Sequence, residues 1–211
     1  MTRREKSRCS VITEGQDDYS SIAAAVIISG GIAAIPTETS YGLAVDPFNV
    51  ESLERLFEIK RRPAQKPILV LIDEVDRLSR LVREIPDSFW PLMERFWPGP
   101  LTLIFPAKPD LPSLLTAGTD TIGVRISSNR AAAEICRQAG GMITATSANV
   151  SGEQPAWSVE ELISSFSSSI ELIVDGGHLD QVPPSTVLRS EGNELVLVRS
   201  GRIALDDINA R

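Results

Sequence analysis

Residues 32–43 constrain the fold of this chain most, because a short apolar run passes directly into a polar loop. Residues 32–35 have the composition of a buried strand, and Pro36 interrupts regular pairing. The loop that follows contains several hydroxyl residues, the carboxylate of Glu38, and Gly42. Open α/β sheets place binding sites where strands end in such loops. An ordinary connecting turn has the same local composition, so this stretch alone leaves both interpretations open.

Apolar runs alternate with helical patterns along the whole chain, and this alternation predicts an α/β fold. Asn49 and Asn129 are placed to cap helices, and Ser158 with Glu161 has the spacing of a capping box. Residues 185–199 contain two strand patterns around a turn and predict a terminal hairpin. The other predicted strands are residues 32–35, 67–72, 101–105, 121–126, 142–146 and 172–174.

The chain has 211 residues and a net charge of −7, which opposes strong non-specific binding to a nucleic-acid backbone. We expect residues 17–211 to form one domain, preceded by a mobile tail over residues 1–16. Cys9 and Cys136 have no metal or redox spacing, which is typical of free thiols in a reducing compartment. No apolar run reaches membrane-spanning length and no secretory pattern is present, so we expect a cytoplasmic protein with no membrane partner.

A basic segment, residues 60–67, joins a predicted helix to the next predicted strand. Its cations are Lys60, Arg61, Arg62 and Lys66. Prolines at positions 63 and 67 deny the segment regular structure. A solvated helix end explains a single cation, because cations offset the helix dipole there. Four cations in a rigid turn of an acidic protein favour a clamp for a polyphosphate.

Two further segments leave room for a ligand. Thr121, Gly123 and Arg125 alternate with apolar residues and share one face of a predicted strand. The strand 142–146 ends in residues 147–152, whose small side chains and hydroxyls suit contacts with phosphate or ribose. Neither segment has the spacing of a glycine-rich phosphate loop. An edge strand with one wet face explains the first segment equally well.

Two other features are given plainer interpretations. The proline-rich stretch 106–118 is long enough to be a mobile lid. His178 is the single histidine, and its glycine-rich surroundings indicate a surface residue rather than a catalytic base.

Taken together, these motifs occur in an order that resembles one known family. The motifs are Pro36-Thr37-Glu38-Thr39-x-Tyr41-Gly42-Leu43, Lys60-x-Arg62-Pro63, Trp97-Pro98-Gly99-Pro100-Leu101-Thr102, Val124-Arg125, Ser147-Ala148-Asn149-x-Ser151-Gly152, Ser185-Thr186-Val187 and Arg199-x-Gly201. Over about residues 17–204 the chain resembles the YrdC/Sua5 family of L-threonylcarbamoyladenylate synthases, in its short, single-domain form. The resemblance implies an α/β fold with a twisted mixed β-sheet, helices on both faces and a concave central cleft.

The resemblance also implies an enzyme, a nucleotidyltransferase that acts in tRNA modification. Family members convert L-threonine, bicarbonate or CO2, and ATP into threonylcarbamoyl-AMP and pyrophosphate. This is the first step toward N6-threonylcarbamoyladenosine at position 37 of tRNA. Mg²⁺ is expected to accompany ATP, and a downstream threonylcarbamoyl transferase complex is expected to receive the product.

Site residues follow from the resemblance, position by position. The residues expected to bind L-threonine are Thr39, Arg125 and Ser185. The expected catalytic residues are Lys60 and Arg62. The residues expected to bind ATP are Arg62, Lys66, Thr121, Ser147, Asn149 and Arg199. A guanidinium such as that of Arg125 suits the carboxylate of threonine. No metal ligand is assigned, and Glu38 is the nearest candidate.

Three positions depart from the pattern of other family members. Many longer members have asparagine where this chain has Lys66 and histidine near threonine where it has Leu71. Some members have serine at the position of Pro155. Lysine keeps the ability to bind phosphate, whereas leucine removes a polar contact, so we expect threonine to be held differently.

Two other functions remain open at this point. The first is a double-stranded RNA-binding module without catalysis, with weak affinity for double-stranded RNA or tRNA. The basic segment supports it and the net charge of −7 opposes it. The second is a carbamoyl-transfer component of a maturation complex, since a related domain occurs within hydrogenase-maturation proteins that carry additional domains.

Overall fold

The computed structural model describes residues 9–192 and 194–209 as an α/β fold. Its strands are β1 (Ser10–Thr13), β2 (Ala33–Ile35), β3 (Gly42–Ala44), β4 (Val70–Ile72), β5 (Leu101–Pro106), β6 (Thr121–Arg125), β7 (Met142–Thr144), β8 (Thr146–Ser147), β9 (Leu172–Asp175), β10 (Thr186–Glu191) and β11 (Glu194–Arg199). Its α-helices are α1 (Tyr19–Ile28), α2 (Val50–Ile59), α3 (Leu78–Leu81), α4 (Trp90–Phe96), α5 (Ser113–Thr116), α6 (Arg130–Gln138), α7 (Val159–Phe166) and α8 (Leu205–Asn209). The predicted α/β class is confirmed, and β10 and β11 form the predicted terminal hairpin.

The strands divide between two sheets, each with parallel and antiparallel neighbours. Sheet A has the order β1-β9-β2-β3-β8, in which β9 runs parallel to β1 and β2 while β3 is antiparallel to both its neighbours. Sheet B has the order β11-β10-β5-β6-β4-β7, in which β10 is parallel to β5 and β4 is parallel to β6. The mixed character implied by the resemblance is confirmed, with the strands shared between two sheets.

Residues 142–147 connect the two sheets. β7 pairs with β4 in sheet B, and β8, after Ala145, pairs with β3 in sheet A. The Thr144 N–H donates to the Val45 carbonyl and the Ala145 N–H donates to the Leu69 carbonyl, each at 2.9 Å. Through these bonds, the residues that follow β3 and those that precede β4 lie next to β8. The polar segments at these strand ends therefore surround one cleft.

The apolar core lies on both faces of β2. Ile32 and Ala34 belong to a larger cluster that also receives side chains from α2, α4 and α7. Ala33 and Ile35 belong to a smaller cluster with side chains from α1 and α6. A strand covered on both faces has no polar side, which explains the uninterrupted apolar run in the sequence.

Part of the N-terminal tail predicted over residues 1–16 forms a strand instead. Residues 10–13 form β1, which pairs parallel with β9 from Ser10–Leu172 to Thr13–Asp175. The Glu14 N–H also donates to the Asp175 carbonyl at 2.7 Å. The prediction was wrong for this stretch, because the edge of β9 offers backbone donors and acceptors that a short β-branched run can satisfy. Residues 1–8 lie outside the described residues.

Three helices, α2, α6 and α7, begin at the capping residues that the sequence predicts. The side chain of Asn49 accepts from the Ser52 N–H at 3.0 Å, and that of Asn129 accepts from the Ala132 N–H at 3.0 Å. Ser158 forms the predicted capping box at the start of α7. Throughout residues 9–192 and 194–209, no helix combines the length and apolar character needed to cross a membrane.

Candidate functional site

A cavity of about 940 Å³ opens where the two sheets meet. This volume lies in the range of cavities that hold small ligands and cofactors. The predicted site residues in its lining are Thr39, Arg62, Lys66, Thr121, Arg125, Ser147, Ser185 and Arg199. Lys60 and Asn149 are predicted site residues that do not line it. Segments far apart in the sequence thus converge on one wall.

The loop between β2 and β3 is held by its own hydroxyls. The Thr37 hydroxyl donates to the Ser40 carbonyl at 2.7 Å and accepts from the Thr39 N–H at 3.2 Å. The Tyr41 hydroxyl donates to the Gly177 carbonyl at 2.7 Å and accepts from the Gly176 N–H at 3.0 Å. This network keeps Thr39 almost fully buried in the cavity wall. The loop is therefore an ordered part of the cavity and not only a connecting turn.

Arg125 reaches the cavity from β6 and is paired with Glu38. Its Nη1 lies 2.9 Å from Glu38 Oε1, and the two side chains are only 4% and 9% exposed. The Ser127 hydroxyl donates to Glu38 Oε2. Glu38 therefore accepts a hydrogen bond from Ser127 and forms an ion pair with Arg125, although its buried Oε1 accepts no hydrogen bond within the described residues. A carboxylate that is already paired with a guanidinium is a poor metal ligand, so the candidacy of Glu38 does not fit the structure. Arg125 Nε is buried and has no hydrogen-bond partner within residues 9–192 and 194–209.

The face of β6 is the one predicted from the alternation. Thr121, Gly123 and Arg125 line the cavity, while Ile122 and Val124 lie in the larger apolar cluster. A Cβ added to Gly123 would lie 3.4 Å from the Thr102 methyl group. Glycine at this position therefore leaves more space in the cavity for a ligand.

Ser185 and Arg199 line the cavity beside Thr102. Arg199 Nη2 donates to the Ser185 carbonyl at 2.8 Å and to the Ser185 hydroxyl at 2.9 Å. The Ser185 and Thr102 hydroxyls are 2.8 Å apart. Thr102 was not assigned a role from the sequence, although it ends a quoted motif and alternates with Leu101 and Leu103 along β5.

Lys60 is buried outside the cavity lining and supports the loop after β8. Its Nζ donates to the carbonyl of Ser147, to the carbonyl of Asn149 at 2.8 Å and to Asn149 Oδ1 at 3.2 Å. Asn149 Nδ2 in turn donates to the Glu153 carbonyl at 2.7 Å. Burial, with a smaller contribution from Arg62, lowers the pKa of the Lys60 ammonium to about 7. The two predicted residues outside the lining thus shape the loop that presents Ser147.

Stability should depend on pH through Lys60. Its pKa falls from 10.5 in the unfolded chain to about 7 in the folded protein. The unfolded chain therefore binds more protons between these values, and the contribution of Lys60 to the free energy of unfolding rises with pH by up to about 1.4 kcal/mol per unit. Denaturant unfolding of the wild type and of Lys60→Met, from about pH 6 to pH 9, should show the difference growing in favour of the wild type. A constant difference would contradict the lowered pKa.

The basic segment divides its cations between different tasks. Arg62 lines the cavity, and its guanidinium donates to the Lys66 carbonyl at 3.1 Å and to the Pro67 carbonyl at 2.7 Å. Lys66 is exposed at the same wall. Arg61 is outside the lining. Of the four cations predicted to form a phosphate clamp, only Arg62 and Lys66 line the cavity, and Lys60 is buried outside the lining.

Leu71 does not replace a polar contact within the cavity. Its side chain is buried in the smaller apolar cluster with Ile135 and Cys136, while its neighbour Leu69 lines the cavity. Pro155, where some family members have serine, is in the lining.

The proposed lid, residues 106–118, is anchored to the body of the protein. Leu111 and Leu115 are buried in the larger cluster, and the Ile68 N–H donates to the Leu115 carbonyl at 3.1 Å. No residue of this stretch lines the cavity. The lid hypothesis was therefore wrong, because Leu111 and Leu115 anchor the loop in the larger apolar cluster. His178 is exposed, as predicted.

Apolar residues complete the cavity and were not assigned to it from the sequence. They include Ile68, Leu69, Ile104, Val187 and Val198. The alternation of strands β5, β10 and β11 was the available signal, since each places every second side chain on one face. The cavity therefore combines a polar end around Arg125 with apolar strips that suit a flat, uncharged group.

Comparison with known proteins identifies relatives for this site. The family model Sua5_yciO_yrdC, described as "Telomere recombination", matches residues 25–201. Threonylcarbamoyl-AMP synthase of Pyrococcus abyssi (strain GE5 / Orsay) is 37% identical over 187 residues, covering 89% of this chain and 55% of the relative. The enzyme of the same name from Idiomarina loihiensis is 34% identical over 178 residues, covering 82% of this chain and 94% of the relative.

Solved structures are similar to this fold. The crystal structure of P. abyssi Sua5 complexed with L-threonine superposes with a TM-score of 0.89 at 36% identity, covering 94% of this chain and 59% of that chain. The crystal structure of E. coli YciO superposes with a TM-score of 0.85 at 25% identity, covering 96% of this chain and 99% of that one. This chain spans about half the length of the P. abyssi relative.

The matches cover most of the chain and include the whole of the cavity wall from Thr37 to Arg199. The resemblance drawn from the ordered motifs is thereby confirmed. The chain belongs to the Sua5/YciO/YrdC family.

Proposed function

We propose that this protein is a threonylcarbamoyl-AMP synthase, which makes threonylcarbamoyl-AMP and pyrophosphate from L-threonine, bicarbonate or CO2, and ATP. The observation that carries the proposal is the buried Arg125, whose Nε has no partner within the described residues, in a wall shared with Thr39 and Ser185. A buried guanidinium with an unused donor favours an anionic ligand, and a carboxylate matches its fork. Relatives that carry this enzyme name support the assignment.

Threonine would occupy the polar end of the cavity. Arg125 would bind its carboxylate, and the hydroxyls of Thr39 and Ser185 would bind its remaining polar groups. All three side chains are at least nine-tenths buried, which strengthens hydrogen bonds to a small zwitterion.

ATP would lie along the rest of the wall. Arg62, Lys66 and Arg199 would face its phosphates, with Thr121 and Ser147 on the nucleotide side. The apolar strip of Ile104, Val187 and Val198 suits an adenine ring. Lys60 and Asn149 would act from outside the lining, by holding the loop that presents Ser147.

The chemistry needs positioning more than reactive side chains. The amine of threonine and CO2 give a carbamate, whose oxygen attacks the α-phosphorus of ATP while pyrophosphate leaves. The walls would hold the carbamate in line, and the cations would stabilise the charge on the leaving phosphates. No covalent enzyme intermediate is required.

Mg²⁺ is proposed to arrive with ATP and to neutralise phosphate charge. Protein ligands for it do not fit here, because Glu38 is already paired and no cluster of three potential metal-binding side chains occurs within residues 9–192 and 194–209. No catalytic step is therefore assigned to a protein-held metal.

The product would serve tRNA modification. A threonylcarbamoyl transferase complex is the proposed recipient, in the cytoplasm. Similarity to HypF at 19% identity, with a TM-score of 0.75, shows a shared fold alone and gives no reason to prefer the maturation-complex alternative. The names of the closely matched relatives favour a synthase over an RNA-binding module.

The deciding experiment measures pyrophosphate release from ATP with and without L-threonine and bicarbonate. Release that requires all three, with threonylcarbamoyl-AMP identified by mass spectrometry, is expected. Release without threonine, or no release with both ligands bound, would contradict the proposal.

Two substitutions test the phosphate wall. Arg62→Ala is expected to slow turnover by at least about 10²-fold, since the guanidinium would act mainly in the transition state. Lys66→Ala should weaken ATP binding without unfolding the chain, because Lys66 is exposed. Arg83→Ala removes the same charge from an exposed position outside the cavity and is the matched control. Unchanged kinetics in Arg62→Ala would refute its role.

A further inference from the structure

Glu38 is fixed from three directions at the edge of the cavity. Its Oε2 accepts from the Ser127 hydroxyl, which itself accepts from the Asn129 N–H at 3.2 Å. Its backbone carbonyl accepts from Arg202 Nη1 at 2.9 Å. Its Oε1 lies 2.9 Å from Arg125 Nη1. The carboxylate therefore has one orientation, set by the start of α6 and by the segment after β11.

The contact with Arg125 uses one particular side of the guanidinium. Nη1 lies on the side that faces back along the aliphatic chain, whereas Nε–H and Nη2 form the opposite, parallel edge. The Nε atom is buried and has no partner within the described residues. A carboxylate can bind the Nε–Nη2 edge in a bidentate manner while Glu38 keeps Nη1.

Charge and burial also favour this arrangement. Arg125 is 3% exposed, and an isolated guanidinium so deeply buried would be costly. Burial, with a smaller contribution from the nearby Arg125, lowers the pKa of the Arg199 guanidinium, so the wall already carries two positive charges. Glu38 offsets that charge and leaves the second edge of Arg125 available.

We propose that Glu38 is a positioning residue, which holds Arg125 by Nη1 so that its Nε–Nη2 edge recognises the carboxylate of the amino-acid substrate. The proposal rests on the proposed function for the identity of that substrate, L-threonine. Glu38 itself touches no reacting atom.

The test compares L-threonine with L-threoninol, which lacks the carboxylate, by calorimetry on the full chain. The wild type is expected to prefer threonine. Glu38→Ala should reduce that preference by about 10-fold or more, because Arg125 loses its orientation. Glu38→Gln should stay within about 3-fold of the wild type, since its amide oxygen can still face Arg125 Nη1 while its amide nitrogen donates to the Ser127 hydroxyl.

A matched control is Glu171→Ala, which removes another partly buried carboxylate. Glu171 pairs with Arg55 at 2.6 Å outside the cavity. Glu171→Ala can lower the stability of the protein, but it should leave the preference for threonine over threoninol unchanged, because Glu171 does not contact Arg125. Equal losses in Glu38→Ala and Glu38→Gln, or an unchanged preference in both, would overturn the inference while leaving the synthase proposal intact. A wild type with no preference would instead overturn the proposed function.

A second measurement does not depend on the ligand. The ¹H–¹⁵N signal of Arg125 Nε–H, identified by its loss in Arg125→Lys, should be observable and slow to exchange in the wild type and in Glu38→Gln. It should exchange rapidly or disappear in Glu38→Ala. A signal that is unaffected in Glu38→Ala would show that Glu38 does not hold Arg125.

Discussion

Replacing Gly201 with alanine is expected to lower the free energy of unfolding by about 3 kcal/mol or more, the upper range for overpacking a close contact. A Cβ at this position would lie 2.3 Å from the Pro184 carbonyl oxygen and 2.4 Å from both Ser185 C and Thr186 N. These are backbone atoms, which cannot rotate away as a flexible side chain would. The segment after β11 must therefore separate from the start of β10.

The same separation should weaken ligand binding. The Arg202 N–H donates to the Pro184 carbonyl at 2.8 Å, and Arg199 holds the Ser185 carbonyl at 2.8 Å. Urea unfolding and calorimetric binding of threonine and ATP measure both effects. Ser200→Ala, at the exposed neighbouring position, is the control. A loss below about 0.5 kcal/mol in Gly201→Ala, typical of ordinary surface substitutions, would contradict the close approach.

Arg125→Met is expected to lower the free energy of unfolding by about 3–5 kcal/mol, the usual effect of removing one partner of a buried ion pair. The Glu38 carboxylate, 9% exposed, would be left without its counter-charge. Threonine binding should be lost in the same variant, because the proposed carboxylate ligand is gone. Equilibrium unfolding and calorimetry check the two results.

The double variant Glu38→Gln/Arg125→Met separates stability from binding. Removing both charges should restore most of the unfolding free energy, since no ion remains buried alone. Threonine binding should stay lost. Restored binding in the double variant would show that Arg125 does not contact the substrate.

Local patterns predicted the elements of this fold well. The apolar run at 32–35 indicated a buried strand, and β2 is indeed covered on both faces. Asn49 and Asn129 cap helices as predicted, because a capping side chain bonds to a backbone only a few residues away. The alternation in β6 predicted that Thr121, Gly123 and Arg125 share one face, and all three line the cavity.

Long-range partners were beyond the reach of those patterns. Lys60 belongs to a cluster of cations in the sequence, yet its ammonium bonds to the loop at Ser147, 87 positions away. Residues 10–13 lacked a partner in the local sequence, and β9 supplied one. The stretch 106–118 resembled a lid until Leu111 and Leu115 were found in the core.

The sequence by itself determined the alternation of elements, the polar loops at strand ends and the ordered motifs that identify the family. Only the tertiary structure decided which polar groups bond to one another and which remain for a ligand. Lys60 and Arg125 are both buried cations, but three acceptors surround Lys60 Nζ while Arg125 Nε has no partner within the described residues. Strand order and sheet crossing set that difference, because they choose which distant backbone and side-chain groups come within hydrogen-bonding distance.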